Sequence, residues 1–403
     1  MGLRVQTVES GNAWVSNTSI TVDSNGQPHI AYQLGYDMKY AHWDGSSWVI
    51  EVIDDGGVVG RYSSVALDMD NRAHIGYVGD GRIKYSKWDG ADWVIQNIDV
   101  GYGYISLALN SNGYPHISYA KNDMVMHAFW QGTSWVTSTI DGGSNGFTSL
   151  ALDSNDRVHV AYGSYDYLKY AYTSESSTAW ISQTVDVGVN GITRIYMRLD
   201  AENHPHIVYT RQTSCLDPYG YSTNCLAYAY WDGMKWITQT LYSGDFFGTT
   251  LAIDSNNKPH VGYLIPGSPC ERAVYAYMDH QNWITETLPI GCPPTWSDPA
   301  LGDEIILQMD SRSYPHFVIR SAAGYYLEYV YWNGSSWVQE LIDIQNQDLR
   351  SERYKEVSFS LDNHDQPHIT YYDNNENALI YLVGTSVPIY KIYLPLTLRS
   401  YSP

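Results

Sequence analysis

Thr148 to Asp186 reads T-S-L-A-L-D-S-N-D-R-V-H-V-A-Y-G-S-Y-D-Y-L-K-Y-A-Y-T-S-E-S-S-T-A-W-I-S-Q-T-V-D, and most of the chain is built from copies of it. The stretch divides into four short runs rich in aliphatic and aromatic residues: Ser149 to Asp153, His159 to Tyr162, Leu168 to Tyr172 and Trp180 to Asp186. Turn residues separate them, and the pattern predicts four β-strands. The histidine of the second run marks the repeat, recurring as His29, His74, His116, His159, His206, His260, His316 and His368.

Eight markers predict eight repeats. Their separations of 45, 42, 43, 47, 54, 56 and 52 residues lie near the roughly 40–50 residues of a four-stranded propeller blade. Solenoid repeats are mostly shorter or helical, so the expected fold is all-β: an eight-bladed β-propeller of antiparallel blades, with residues 1–386 as one domain. Leu3 to Glu9 has the form of a fourth strand, yet it precedes any blade. The last repeat has strands at Val357 to Leu361, Pro367 to Tyr371 and Ala378 to Val383 but no fourth. The N-terminal strand is therefore expected to complete the last blade and leave no free sheet edge.

Composition narrows the class of partner. The formal charge is −20 at pH 7, which argues against nucleic acid or an anionic membrane, since both need a basic face. No apolar run reaches the roughly 18 residues of a membrane helix. Met1 to Glu9 is strand-like rather than a signal peptide, so the chain reads as either a mature exported protein or a cytosolic one. The cysteines favour the former. Cys215, Cys225, Cys270 and Cys292 all lie in or beside insertions of two successive blades, and the expected pairs are Cys215–Cys225 and Cys270–Cys292, as in an oxidising compartment. No C-x-x-C or C-x-x-H spacing supports zinc. A secreted or cell-surface location is the expectation.

The recurrent turns are structural. D-S-N-G-Q-P-H (Asp23 to His29) joins first and second strands, with Asn-Gly expected to supply positive φ. The carboxylate-rich turn Asp68 to Asn71 falls short of the six to eight oxygens calcium needs, so no metal or other cofactor is expected. One histidine per blade implies a fold-level role, a hydrogen bond to the Asp that opens the same turn, as Asp153 with His159. W-D-G-S-S-W (Trp43 to Trp48), echoed at Trp88 to Trp93, Trp231 to Trp236 and Trp332 to Trp337, resembles the Asp-box turn of sialidase-like bacterial propellers. That resemblance implies a propeller and carries no activity, because the turn is structural in such families and eight repeats differ from a sialidase's six blades. The tail, 387–403, contains three prolines and lies outside the repeat; its I-Y-L-P-L-x-L-R core resembles a C-terminal segment of some secreted bacterial proteins.

Function is sought on the loops. Those joining second to third strands, and each blade to the next, share one face and expand in blades five to eight, as at Arg211 to Asn224, Leu264 to Arg272, Pro289 to Asp303 and Ile344 to Glu356. They carry Tyr219, Tyr221, Trp296, Arg353 and Tyr354, a mixture of aromatic and charged groups suited to sugar rings and hydroxyls. On the first strand of blade five, Tyr196 and Arg198 replace small residues, with Arg194 one step along the same side. Two guanidinium groups in an acidic protein suggest capture of a carboxylate or sulfate, unless acids such as Glu304 pair with them. The expected function is an extracellular, lectin-like carbohydrate-binding propeller for a glycan, with acidic glycans among the candidates. A polysaccharide lyase or glycoside hydrolase on the same scaffold, and a protein-interaction platform, are the alternatives. No G-x-S-x-G, H-E-x-x-H or P-loop pattern points to catalysis.

Overall fold

The computed structural model describes residues 2–11, 13–174, 179–189, 191–216, 222–267, 271–291, 304–321, 326–342 and 354–385. Their regular structure is entirely β: 32 strands in eight four-stranded antiparallel sheets. The first blade runs Val15–Val22, Pro28–Leu34, Asp37–Trp43 and Trp48–Asp54. First strands of successive blades pack against one another more closely than fourth strands do, which makes them the innermost of the propeller. The repeat quoted above forms Ser144–Leu152, Val158–Ser164, Tyr167–Thr173 and Trp180–Val187, each strand longer than its hydrophobic run. Ring closure is as expected: Gly2–Ser10 pairs antiparallel with Ala378–Thr385 as the fourth strand of blade eight. The tail beyond 385 lies outside the described residues.

Eight separate apolar clusters hold the ring, one at each junction between blades. The largest fully buried side chains are mostly tyrosines, among them Tyr32, Tyr77, Tyr119, Tyr162 and Tyr209 of the second strands. Fourth-strand tryptophans add a polar tie, because the indole N–H of every one but Trp48 donates to the fourth strand of the preceding blade. Trp135 donates to Gln96 at 2.8 Å, Trp236 to Gln183 at 2.8 Å and Trp337 to Glu286 at 2.9 Å.

The repeated histidines are buried and structural, with a nearer partner than the expected one. The Nδ1 of each shares a hydrogen bond with a hydroxyl on the third strand of its own blade, as His74 with Tyr85 at 2.6 Å, His206 with Tyr228 at 2.5 Å and His260 with Tyr275 at 2.6 Å. In blade three His127 takes the tyrosine's place, 3.1 Å from His116. The turn aspartates face the other nitrogen at greater range, 3.3 Å for His74–Asp68 and 3.9 Å for His29–Asp23. Those aspartates are occupied chiefly by their own turns. Asp23 Oδ1 accepts the amides of Asn25 at 2.9 Å and Gln27 at 2.7 Å. Of the Asn-Gly pair only Gly26 has positive φ (77°). The same tyrosines meet the next blade's tryptophan edge-on, for example Tyr85 and Trp135 with centroids 5.1 Å apart.

Deleting residues 1–10 should strip the outer strand from blade eight and expose the edge of Ala378–Thr385. Aggregation or a large fall in melting temperature is expected, and a monomeric truncation of parental stability would contradict the closure.

The histidine column also sets a pH dependence. Burial pushes His29, His74 and His116 down to about 4, with Asp23 opposing the shift at His29. Burial likewise lowers His159, His260, His316 and His368. An imidazole with a depressed pKa leaves the unfolded chain binding more protons below pH 6.5, so stability present above that pH is lost as pH falls toward 4. Urea midpoints at pH 7.5, 6 and 5 should decline in that order; equal midpoints would contradict neutral, buried imidazoles.

Candidate functional site

The two faces of the ring are held differently. On the turn face, neighbouring first-to-second-strand turns are bonded to one another around the ring, as Ser111 Oγ to Asp156 at 2.5 Å, Ser154 N to Asn203 at 3.2 Å and Ser311 Oγ to Asp365 at 2.7 Å. Asp44, Asp89 and Asp232 cap the W-D-G turns through their own backbone amides. These contacts commit the turn-opening aspartates of that face to forming turns.

Toward the loop face, the acid ending one blade's fourth strand clasps a tyrosine and a cation of the next blade. Asp54 accepts from Tyr77 at 2.8 Å and Lys84 at 2.7 Å. Asp99 takes Tyr119 and Lys121, both at 2.7 Å; Asp141 takes Tyr162 at 2.8 Å and Lys169 at 2.7 Å; Glu9 takes Tyr32 and Lys39, both at 2.6 Å. Asp186 takes Tyr209 and Arg211. Burial raises the pKa of Asp54, but the bonds from Lys84 and Tyr77 outweigh it and hold the carboxyl below its ordinary value.

At the centre of the loop face the innermost strands present a ring made of the sixth residue before each turn acid or its Asn110 counterpart: Asn17, Tyr62, Tyr104, Phe147, Arg194, Gly248, Glu304 and Glu356. In blades one, two, three, four, six and eight the pairing with the second strand slips at this position. A bulge re-aims side chains and suits a site. Asn17 (φ 52°), Tyr62 (φ 53°) and Glu356 (φ 52°) adopt the left-handed region that non-glycine residues seldom occupy. Gly103 is needed beside Tyr104, since a Cβ there would sit 2.6 Å from the Gly146 carbonyl oxygen.

One arc of the mouth is aromatic. The Tyr62 and Tyr104 centroids are 4.5 Å apart, and Tyr104 stacks on Phe147 at 5.1 Å. Tyr104 remains 51% exposed, so its ring offers a surface rather than a core contact. The opposite arc is polar. Glu356 accepts the Asn17 amide at 2.7 Å, and Glu304 accepts from Arg320 at 3.3 Å. Partial burial raises the Tyr104 pKa, with Tyr62, Tyr196 and Glu356 adding and Arg194 opposing, so all five groups share one field. Exposed Arg61 and half-buried Arg194 stand at the two ends of the aromatic arc. A hollow of about 490 Å³ lies beside Arg61, Tyr62, Tyr104 and Phe147. A second, of about 670 Å³, takes in Arg194.

Of the residues expected at the site, Arg194 joins the mouth and Tyr196 lies beside it while packing partly into the junction with blade six. Arg198 is solvent-accessible yet ringed by protein; burial lowers its pKa, and its Nη1 donates to the Met197 carbonyl at 2.9 Å. Glu304 pairs with Arg320 rather than with these arginines. Tyr219, Tyr221, Trp296 and Arg353 lie outside the described residues, and for Tyr354 only the backbone is described, opposite Asp373. Cys215 and Cys225 form a disulfide, Cα–Cα 5.9 Å, whereas Cys270 and Cys292 lie outside the described residues. Tyr62, Tyr104, Phe147, Asn17 and Glu356 escaped the sequence reading because loop length drew it to blades five to eight. Counting six residues back from each turn acid would have found them. Among the described residues no group of three or more His, Cys, Asp or Glu side chains is placed to hold a metal ion.

Comparison with known proteins places the architecture in the β-propeller class. No sequence family matches the chain, and no curated protein matches it. Among solved structures it is similar to a polysaccharide lyase, an ulvan lyase bound to a saccharide of GlcA and sulfated Rha units, at 11% identity and TM-score 0.53, covering 83% of this chain and 96% of that one. It is also similar to a lectin from Burkholderia pseudomallei at 10% identity and TM-score 0.51, covering 81% and 99%. At such identities the likeness is one of fold.

If Tyr62 is held at φ 53° for the mouth rather than for the core, Tyr62→Gly should leave unfolding free energy within about 1 kcal/mol of the parent, relief of backbone strain offsetting lost packing. A loss above roughly 3 kcal/mol, typical of emptying a core aromatic site, would mark it as a core residue instead.

Proposed function

We propose that the loop face binds carbohydrate at the channel mouth, with an acidic sugar preferred. The observation that carries this reading is the meeting of an aromatic arc, exposed Tyr104 between half-buried Tyr62 and Phe147, with cations at its ends and carboxylates opposite. Aromatic faces receive the apolar side of a pyranose, Glu356 and Asn17 accept or donate to hydroxyls, and Arg194 offers a paired set of donors to a carboxylate or sulfate. The fold likeness to a lyase and a lectin is consistent with saccharide as ligand. The Cys215–Cys225 disulfide supports a secreted or cell-surface location.

Binding is favoured over cleavage. The phenol that faces the mouth, Tyr104, has a raised pKa and is a poor base at neutral pH. The repeated histidines are buried in the blades, away from the mouth. Both mouth carboxylates already accept hydrogen bonds from protein donors.

A panel of polygalacturonate, alginate, chondroitin sulfate, ulvan and neutral glucans should identify acidic members that bind. Arg194→Ala should weaken these by about tenfold or more, the worth of one charged hydrogen bond, and neutral sugars by much less. Tyr104→Ala should weaken all that bind without changing the melting temperature. Binding of every panel member unaffected by both variants would remove the site from the mouth, and release of unsaturated or reducing ends would replace binding with cleavage.

A further inference from the structure

The clasp that closes five junctions is absent between blades five and six. Alignment on the fourth-strand tryptophan puts Tyr242 where Asp54, Asp99, Asp141 and Asp186 stand, and the cation positions hold Ile265 and Val274. Tyr242 and Tyr263 meet there through their rings, 5.7 Å apart, within the field of Arg272 but with no acid–tyrosine–cation clasp. The next junction is tied in another way, by buried Glu328 accepting the Gly291 amide at 2.7 Å. At the junction of five and six, the loop face carries the hollow of about 670 Å³, within the roughly 300–1,000 Å³ range of small-molecule sites.

Its walls suit a sugar. Phe246 and Phe247 are half-buried aromatics from the connection into blade six, and exposed Asp245 stands beside them. Thr210 and Arg194 come from blade five. Among the described residues Arg194's side chain has no ion-pair or hydrogen-bond partner, although its carbonyl accepts the Thr210 amide at 3.3 Å. Because Arg194 also belongs to the mouth ring, cleft and mouth share one cationic wall. An acidic group held by Arg194 would therefore leave one neighbouring unit over Phe147 and Tyr104 and the other against Phe246.

We propose that the cleft between blades five and six is a second saccharide site, continuous with the mouth, and that the protein takes internal stretches of an acidic polysaccharide rather than chain ends. This rests on the reading of the mouth as a saccharide site. The test uses the tightest-binding acidic polysaccharide of the panel, cut into size-fractionated di-, tetra-, hexa- and octasaccharides and titrated calorimetrically. Affinity should rise at least tenfold from disaccharide to tetra- or hexasaccharide and then level off. Phe246→Ala should abolish that gain while leaving disaccharide affinity within twofold; Asp245→Ala, an exposed change that spares the fold, should reduce the gain in the same selective way. Length-independent affinity, or variants that weaken short and long oligomers equally, would overturn the second site and leave the mouth intact. Failure of every acidic polysaccharide to bind would overturn the mouth reading, and this inference with it.

Discussion

The structure depends on a neutral imidazole kept out of water. In each blade the column histidine shares a hydrogen bond with a third-strand hydroxyl, or with His127 in blade three. In most blades that same side chain lies edge-on against a tryptophan of an adjacent blade, whose indole donates across the junction. One chain of contacts thus runs from second strand to third strand to the neighbouring blade. A charged imidazole in that place would carry the cost of desolvation. Repetition makes the lock insensitive to any one blade, which leaves the far ends of the innermost strands free to vary.

That freedom is used on one face. The turn face spends its aspartates on backbone amides, while on the opposite side five acid–tyrosine–cation clasps tie neighbouring blades together. What varies is a ring where bulges lift the chain out of regular pairing, and its residues differ from blade to blade in shape and charge. Fixed scaffold and variable rim are separated by a few residues along the same strand.

The blades, their number and the strand swap at the ring's seam were legible because hydrophobic alternation and a countable histidine are local signals. The tyrosine partners of those histidines were less so, since Tyr85 and His74 meet only through the register of two strands. The mouth was half legible. Arg194 was reached as the next step along from Tyr196 and Arg198, which depart from columns of small residues, but Tyr62 and Tyr104 sit within bulges, where period-two counting fails. The clasp was visible as a repeated acid yet meaningful only once neighbouring blades were side by side.

The seam also bears on how the chain reaches its fold. Gly2–Ser10 and Ala378–Thr385 are adjacent in one sheet but separated by nearly the whole sequence. At roughly 5–20 residues per second, the first of these strands leaves the ribosome on the order of 20–75 s before its partner exists. Blades one to seven contain all four of their own strands and can form in turn as they emerge. Throughout that interval the leading strand has no sheet to join, so the slowest contact in the molecule is set by translation, and a chaperone that shields one exposed β-strand would have its longest opportunity there.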